Sequence, residues 1–291
     1  MNIYESENKI IIENLDNFDL SDIFDCGQCF RFNRIKKDDK NNFEGVAFGK
    51  YLRAFQKDSK IYFETNFENF NNIWRDFFDI DRDYKKIFET LRKDETLKKA
   101  SDFCPGVRII KQDPFECLIS FIISANNNIP RIKKTIERLC ENFGEEIICG
   151  NKSSKFYSFP TAEKTAGLTL EDLDVLRSGF RAEYILGAAK RIADGEIDLN
   201  SVYKMTLNQG SEYLRQIKGV GGKISACVLL FAYNKLEAFP IDVWIKRVLE
   251  KYYAADFSPQ EHFGEYAGVA QEYLYYYERM NEKNNKLKSE V

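Results

Sequence analysis

The sequence predicts an α+β protein: a small N-terminal antiparallel β-sheet domain with helices, followed by a mainly helical domain. Three observations carry this. Up to residue 66, short aromatic-rich runs are separated by turn residues. From residue 67 onward, apolar residues recur at helical spacing. The longest apolar runs, near Cys117–Ala125 and Ile224–Tyr233, fall well short of the roughly 20 residues that a bilayer span requires. At 291 residues the chain can hold two ordinary domains, placed here at 1–98 and 99–291.

In chain order, Lys9–Leu15, Phe30–Ile35, Phe43–Phe48, Tyr51–Phe55 and Ile61–Thr65 read as short strands. Gly49-Lys50 and Lys57–Lys60 supply turns, which suggests an antiparallel meander with one face covered. Phe70, Ile73, Trp74, Phe77 and Phe78 begin the helical spacing, and Tyr84, Ile87, Phe88 and Leu91 continue it. Asp113-Pro114 can open a helix, with proline in its first turn. Ile129–Phe143 carries one apolar stripe and ends at Gly144. Thr169 and Asp172 have the form of a capping box. Tyr184–Asp194 is stopped by Gly195, and Thr206–Ile217 leads into a glycine turn. From residue 67 the chain reads helical to its end, and the polar tail Asn281–Val291 is expected to fray.

A chain with 44% hydrophobic and 31% charged residues is globular in type. The N-terminus lacks a basic-then-apolar leader pattern, so a cytoplasmic location is expected. Net charge is −3, so any nucleic-acid contact needs a local basic face. Arg215, Lys218, Lys223, Lys246 and Arg247 gather around one stretch. The 24 Phe and 16 Tyr suit stacking surfaces, although core packing accounts for most of them. Seven cysteines are scattered; Cys26 and Cys29 form a C-x-x-C that reads as a redox pair, half a zinc site, or neither. His262 is the single histidine, which turns attention from histidine chemistry to lysine and carboxylate.

The chain is organised around Leu214–Arg247. Gly219 and Gly221 lie between two helices, where glycine allows positive φ and a close backbone approach. The free N–H groups of such a turn and of the next helix can hold a phosphate oxygen, a grip that reads no sequence. The alternative is an ordinary tight connection. Lys223 follows at the helix start, where the dipole and partial desolvation both favour a neutral amine, the form that attacks carbon. Asp242 suits an N-cap. Helix 223–233 carries the chain away by about 16 Å, and an extended 234–241 returns roughly 26 Å, so Lys223 and Asp242 can meet.

This stretch resembles the helix-hairpin-helix Gly-Pro-Asp (HhH-GPD) superfamily of DNA glycosylases, with Phe239-Pro240-Ile241-Asp242 as a loose form of its second motif and Lys218 in place of the usual proline. Gly27-Gln28-Cys29-Phe30-Arg31, Asn126-Asn127-Asn128-Ile129-Pro130-Arg131, Gly179-Phe180-Arg181-Ala182 and Gly268-Val269-Ala270-Gln271 are similar to the 8-oxoguanine branch, over about residues 9–280. The resemblance implies a base-flipping enzyme acting on double-stranded DNA that contains 8-oxoguanine, with no membrane partner, as a monomer and without a cofactor. It implies Lys223 as nucleophile and Asp242 as charge stabiliser. For the damaged base it implies the Gly27 carbonyl, Gln271, Tyr275 and Cys227, the last being equally a core residue. It implies Asn126, Arg131 and Arg181 at the cytosine opposite, with Phe180 filling the gap. Gly219, Gly221, Lys218 and Trp244 fall at the phosphates. No cysteine follows Cys227, so the iron–sulfur cluster of other branches has no ligands, and no metal is expected. A glycosylase for another lesion and a non-catalytic DNA-binding module are the competing readings.

Overall fold

A computed structural model of the protein describes residues 1–36, 38–149 and 155–289, with side chains to residue 283. Six strands form one antiparallel sheet: β1 (Asn2–Ser6), β2 (Lys9–Glu13), β3 (Phe32–Arg34), β4 (Asn42–Ala47), β5 (Lys50–Lys57) and β6 (Lys60–Phe63). Their order is β1-β2-β6-β5-β4-β3, so β3 to β6 are the expected meander and the β1–β2 hairpin is added at its β6 edge. β1 was not expected: its residues are largely exposed, so it carries no alternation. Glu7 and Asn8, both at positive φ, make its turn. One face of the sheet packs on a helical stretch at 67–77, which contains a π turn at Phe70–Trp74. The core between them is aromatic, with Phe24 stacked on Phe32 at 4.4 Å and Phe63 on Phe78 at 4.9 Å. Packing therefore absorbs many of the phenylalanines.

A short helix α1 (Leu20–Asp25), capped by Asp19, precedes β3. Beyond the sheet run α2 (Tyr84–Leu91), α3 (Glu95–Phe103), α4 (Pro114–Ser124), α5 (Ile129–Phe143), α6 (Arg181–Ala193), α7 (Leu207–Leu214), α8 (Gly222–Phe231), α9 (Val243–Tyr252) and α10 (Ala267–Ser289), with shorter helical turns between them. Two expectations change here. Glu146–Ile147 and Phe156–Tyr157 pair as a small β-ribbon inside the stretch read as helical. Asn281–Ser289 continues α10 instead of fraying, and Glu290 and Val291 lie outside the described residues. The Thr169–Asp172 box forms reciprocally, but it opens a 3-10 helix. Among the described residues no helix is long and apolar enough to cross a membrane.

The segment between α3 and α4 joins the two cores: Val107 and Ile109 face the helical one, Ile110 the sheet. Arg108, 1% exposed, donates to the carbonyls of Asp16, Asn17 and Asp79. A second lock comes from Gln28, whose Nε2 donates to the Arg108 carbonyl at 2.7 Å while its Oε1 accepts from the Ile110 N–H at 2.9 Å. The loop after α1 is thereby fastened to the helical half.

Candidate active site

One cavity of about 430 Å³ opens between α4, α5, α8, the start of α9 and α10. Lys223, Cys227, Asp242, Trp244, Gly27, Gln271, Tyr275 and Asn126 all line it. Residues separated by almost the whole chain therefore meet at one place.

Lys223 sits in the first turn of α8, and its Nζ lies 4.8 Å from the centre of the Phe121 ring. The ammonium group therefore lies against an aromatic face at the cavity wall. Cys227, one turn along, is buried, and burial pushes its thiol up to about 11, so it stays neutral at physiological pH. It belongs to the helical core and also lines the cavity. Asp242 caps α9: Oδ1 accepts the N–H groups of Trp244 and Ile245, each at 2.9 Å. Cap geometry thus fixes the carboxylate at the positive end of a helix. Ile241 and Val243, 41% and 64% exposed, flank it on the surface. Gly268 brings α10 close by, since a Cβ there would meet the Ala238 carbonyl oxygen at 2.6 Å.

Gly27 has φ +105°, and its carbonyl accepts no hydrogen bond among the described residues. Gln271 is 5% exposed and its Oε1 is buried without a partner. A buried amide oxygen left open at a cavity is an unfilled acceptor. The C-x-x-C is neither a disulfide nor a close pair: Cys26 packs in the helical core, Cys29 in the sheet core, and both thiols are free.

The hairpin turn has the expected form. Gly219 has φ +92°, and a Cβ there would meet Tyr184 Cγ at 2.6 Å, so glycine is required twice over. Gly221 is the N-cap of α8 and supplies no side-chain cap, leaving the first N–H groups of that helix open. Lys218 projects from the turn with its side chain 80% exposed, in a loose 4.0 Å pair with Glu183. Gly219→Ala is expected to lower stability by more than about 1 kcal/mol and to weaken duplex binding, measured by thermal melting and by titration. Trp244 stands half-buried beside Asp242, with the Arg247 guanidinium 5.1 Å from its ring.

Asn126 is exposed at φ +48°, Arg131 is exposed, and Phe180 is 55% exposed at the start of α6. Arg181 is the exception. It is 5% exposed, and its guanidinium donates to the carbonyls of Ala125, Asn126 (2.9 Å) and Ser178 (3.1 Å). These carbonyls have no helical partner, so Arg181 supports the Asn126 loop, beside the position expected for the facing base.

Two residues at the site were not anticipated. Glu272, 2% exposed, lines the cavity, and Arg279 braces the Gly27 loop. The spacing Gln271, Tyr275, Arg279 was a usable signal, since steps of four lie on one helix face. Burial raises the Glu272 carboxyl to about 8; Arg279 and Lys223 oppose this and Asp242 adds to it. An acid with a raised native pKa keeps a proton that the unfolded chain has already lost. Its cost to stability therefore grows from pH 4.5, the ordinary value, to about 8. Glu272→Gln is expected to leave melting unchanged near pH 4.5 and to raise it near pH 8, by up to roughly 3 kcal/mol at neutral pH. Melting curves across that range check this.

Comparison with known proteins places these features in context. A family model described as the 8-oxoguanine DNA glycosylase N-terminal domain matches residues 10–118. One described as HhH-GPD superfamily base excision DNA repair protein matches residues 119–265. The probable N-glycosylase/DNA lyase of Methanothermobacter thermautotrophicus is 31% identical over 231 residues, 69% of this chain and 72% of that protein. The N-glycosylase/DNA lyase of Saccharomyces cerevisiae is 33% identical over 61% of this chain, and the match spans only 50% of the yeast protein. The solved structure of the Clostridium acetobutylicum 8-oxoguanine glycosylase/lyase, in complex with double-stranded DNA containing cytosine opposite 8-oxoguanine, superposes with a TM-score of 0.92 at 40% identity, covering 97% of this chain and 99% of that one.

Proposed function

The chain belongs to the HhH-GPD superfamily of base excision DNA repair proteins, and from that premise we infer that it is a bifunctional 8-oxoguanine DNA glycosylase and abasic-site lyase. The observation that carries this reading is the meeting of Lys223, Asp242, the unbonded Gly27 carbonyl and the open Gln271 amide around one cavity. In this reading residues 1–98 supply the base-reading loop, and 99–291 supply the chemistry and the grip on DNA.

The damaged nucleotide leaves the stack, because C1′ cannot be reached within it. The Gly27 carbonyl accepts the N7–H that 8-oxoguanine carries. Guanine has a bare N7 there, so two acceptors face one another at a cost of about 1–3 kcal/mol. Gln271 bonds the Watson–Crick edge, and Tyr275 and the neutral thiol of Cys227 cover the two faces. The Lys223 amine forms a bond to C1′ as the bond from C1′ to the base breaks, and the base departs with a proton. Opening of the sugar ring gives an imine on Nζ. Loss of a C2′ proton then expels the 3′ phosphate, and water hydrolyses the imine. Asp242 stabilises the positive charge that develops on the sugar.

On the other strand, Asn126 and Arg131 meet the cytosine, Phe180 fills the vacated space, and Arg181 holds the Asn126 loop. The open N–H groups from Gly219 to the start of α8 grip a phosphate, with Lys218 and Trp244 beside them. The protein acts as a monomer in the cytoplasm, and no cysteine beyond Cys227 is present to hold an iron–sulfur cluster. Base release from duplexes carrying 8-oxoguanine, undamaged guanine or 3-methyladenine tests the assignment. Release of 8-oxoguanine alone is expected; release of the alkylated base alone overturns the substrate.

A further inference from the structure

We propose that Arg279 is a positioning residue that fixes the Gly27 carbonyl against Tyr275 and so sets selectivity for the damaged base, an inference that rests on the substrate reading above. Arg279 lies on α10, four residues after Tyr275 and eight after Gln271. Its guanidinium crosses to the loop after α1. Nη1 donates to the Cys26 carbonyl at 3.2 Å and Nη2 to that of Asp25. The same Nη1 donates to the Tyr275 hydroxyl at 3.3 Å, and the guanidinium carbon lies 5.1 Å from the centre of that ring. A Cβ on Gly27 would lie 2.9 Å from Nη1 and 3.3 Å from Tyr275 Cε1. Glycine, arginine and tyrosine are therefore packed against one another without slack.

The loop needs such a brace. Gly27 sits where glycine moves most freely, at φ +105°. Asp25 and Cys26 end α1, where carbonyls lack helical partners and a cation is favoured. Gln28 clamps the far side of Gly27 to Arg108 and Ile110. Arg279 clamps the near side to the helix that bears Gln271 and Tyr275. The distance between the carbonyl that reads N7–H and the ring that covers the base is thus set by one side chain. Tyrosine at position 275 gains a purpose here, since its hydroxyl is what Arg279 reaches. A lysine presents a single point charge and cannot span two carbonyls and a hydroxyl.

The test compares two rates for native protein, Arg279→Ala and Arg279→Lys. One is excision from an 8-oxoguanine duplex under single turnover. The other is scission of a duplex with a pre-formed abasic site, which needs Lys223 but no base reading. We expect the ratio of excision to scission to fall about tenfold or more in Arg279→Ala, and part of the way in Arg279→Lys. A native ratio in both variants overturns the proposal. So does a parallel loss of both activities in both variants, which assigns Arg279 to the fold. If native protein cleaves abasic sites but releases no 8-oxoguanine, the substrate reading fails instead, and the variants then bear on a different base.

Discussion

Lys223→Gln binds duplex DNA carrying 8-oxoguanine but neither releases the base nor cuts the strand. The expected loss of excision is on the order of 10⁴-fold, between the effect of deleting one electrostatic donor and that of deleting a nucleophile. Scission at a pre-formed abasic site is lost with it, because both steps pass through the same amine. Binding survives, because the phosphate grip uses main-chain N–H groups of the turn and not Nζ. The side chain leaves the first turn of α8, which has no side-chain cap to disturb, so glutamine there is expected to leave the fold in place. A variant that melts like the native protein, binds and does nothing else is the predicted phenotype. Single-turnover excision and titration of binding measure it.

Asp242→Asn separates two roles that share one side chain. The carboxylate caps α9 through Oδ1, and asparagine caps about as well, so melting should move little. What is lost is a negative charge fixed beside the cavity. Removing one preorganised electrostatic group lowers the rate by about 10²–10³-fold. Excision should therefore fall by that amount with the thermal transition in place. Asp242→Ala should lose both, with a drop of about 1 kcal/mol in stability from the missing cap. If Asp242→Asn excises at the native rate, the carboxylate is only a cap.

Much of this site could be read from the chain because its parts are local. Gly219 and Lys223 lie within five residues, and their chemistry follows from where a helix begins. Asp242 announced itself as a cap. The strand centres are legible as short apolar and aromatic runs, and in the structure β2 and β6 show the alternation of buried and half-buried positions that such strands adopt. β1 lacks that alternation and was missed, and its partnership was missed with it. Strand order is equally silent in periodicity: nothing in either segment tells β2 to pair with β6 across the 46 residues that lie between Glu13 and Lys60. The resemblance of Gly179-Phe180-Arg181-Ala182 points Arg181 to the facing base, but its burial and its support of the Asn126 loop are not legible in that motif. The carbonyls that bury it belong to a loop some 55 residues away. Arg279 was missed because its significance depends on Cys26, which sits 253 residues before it.

The central claim is a covalent bond between Lys223 and the sugar of a damaged nucleotide. Borohydride reduction during turnover on a duplex with 8-oxoguanine opposite cytosine, followed by peptide mapping of the trapped complex, tests it most directly. The account predicts a trapped species in native protein, with the modification on the peptide that contains Lys223, and none in Lys223→Gln. A native protein that releases 8-oxoguanine without ever being trapped, or that is trapped through another residue, contradicts it.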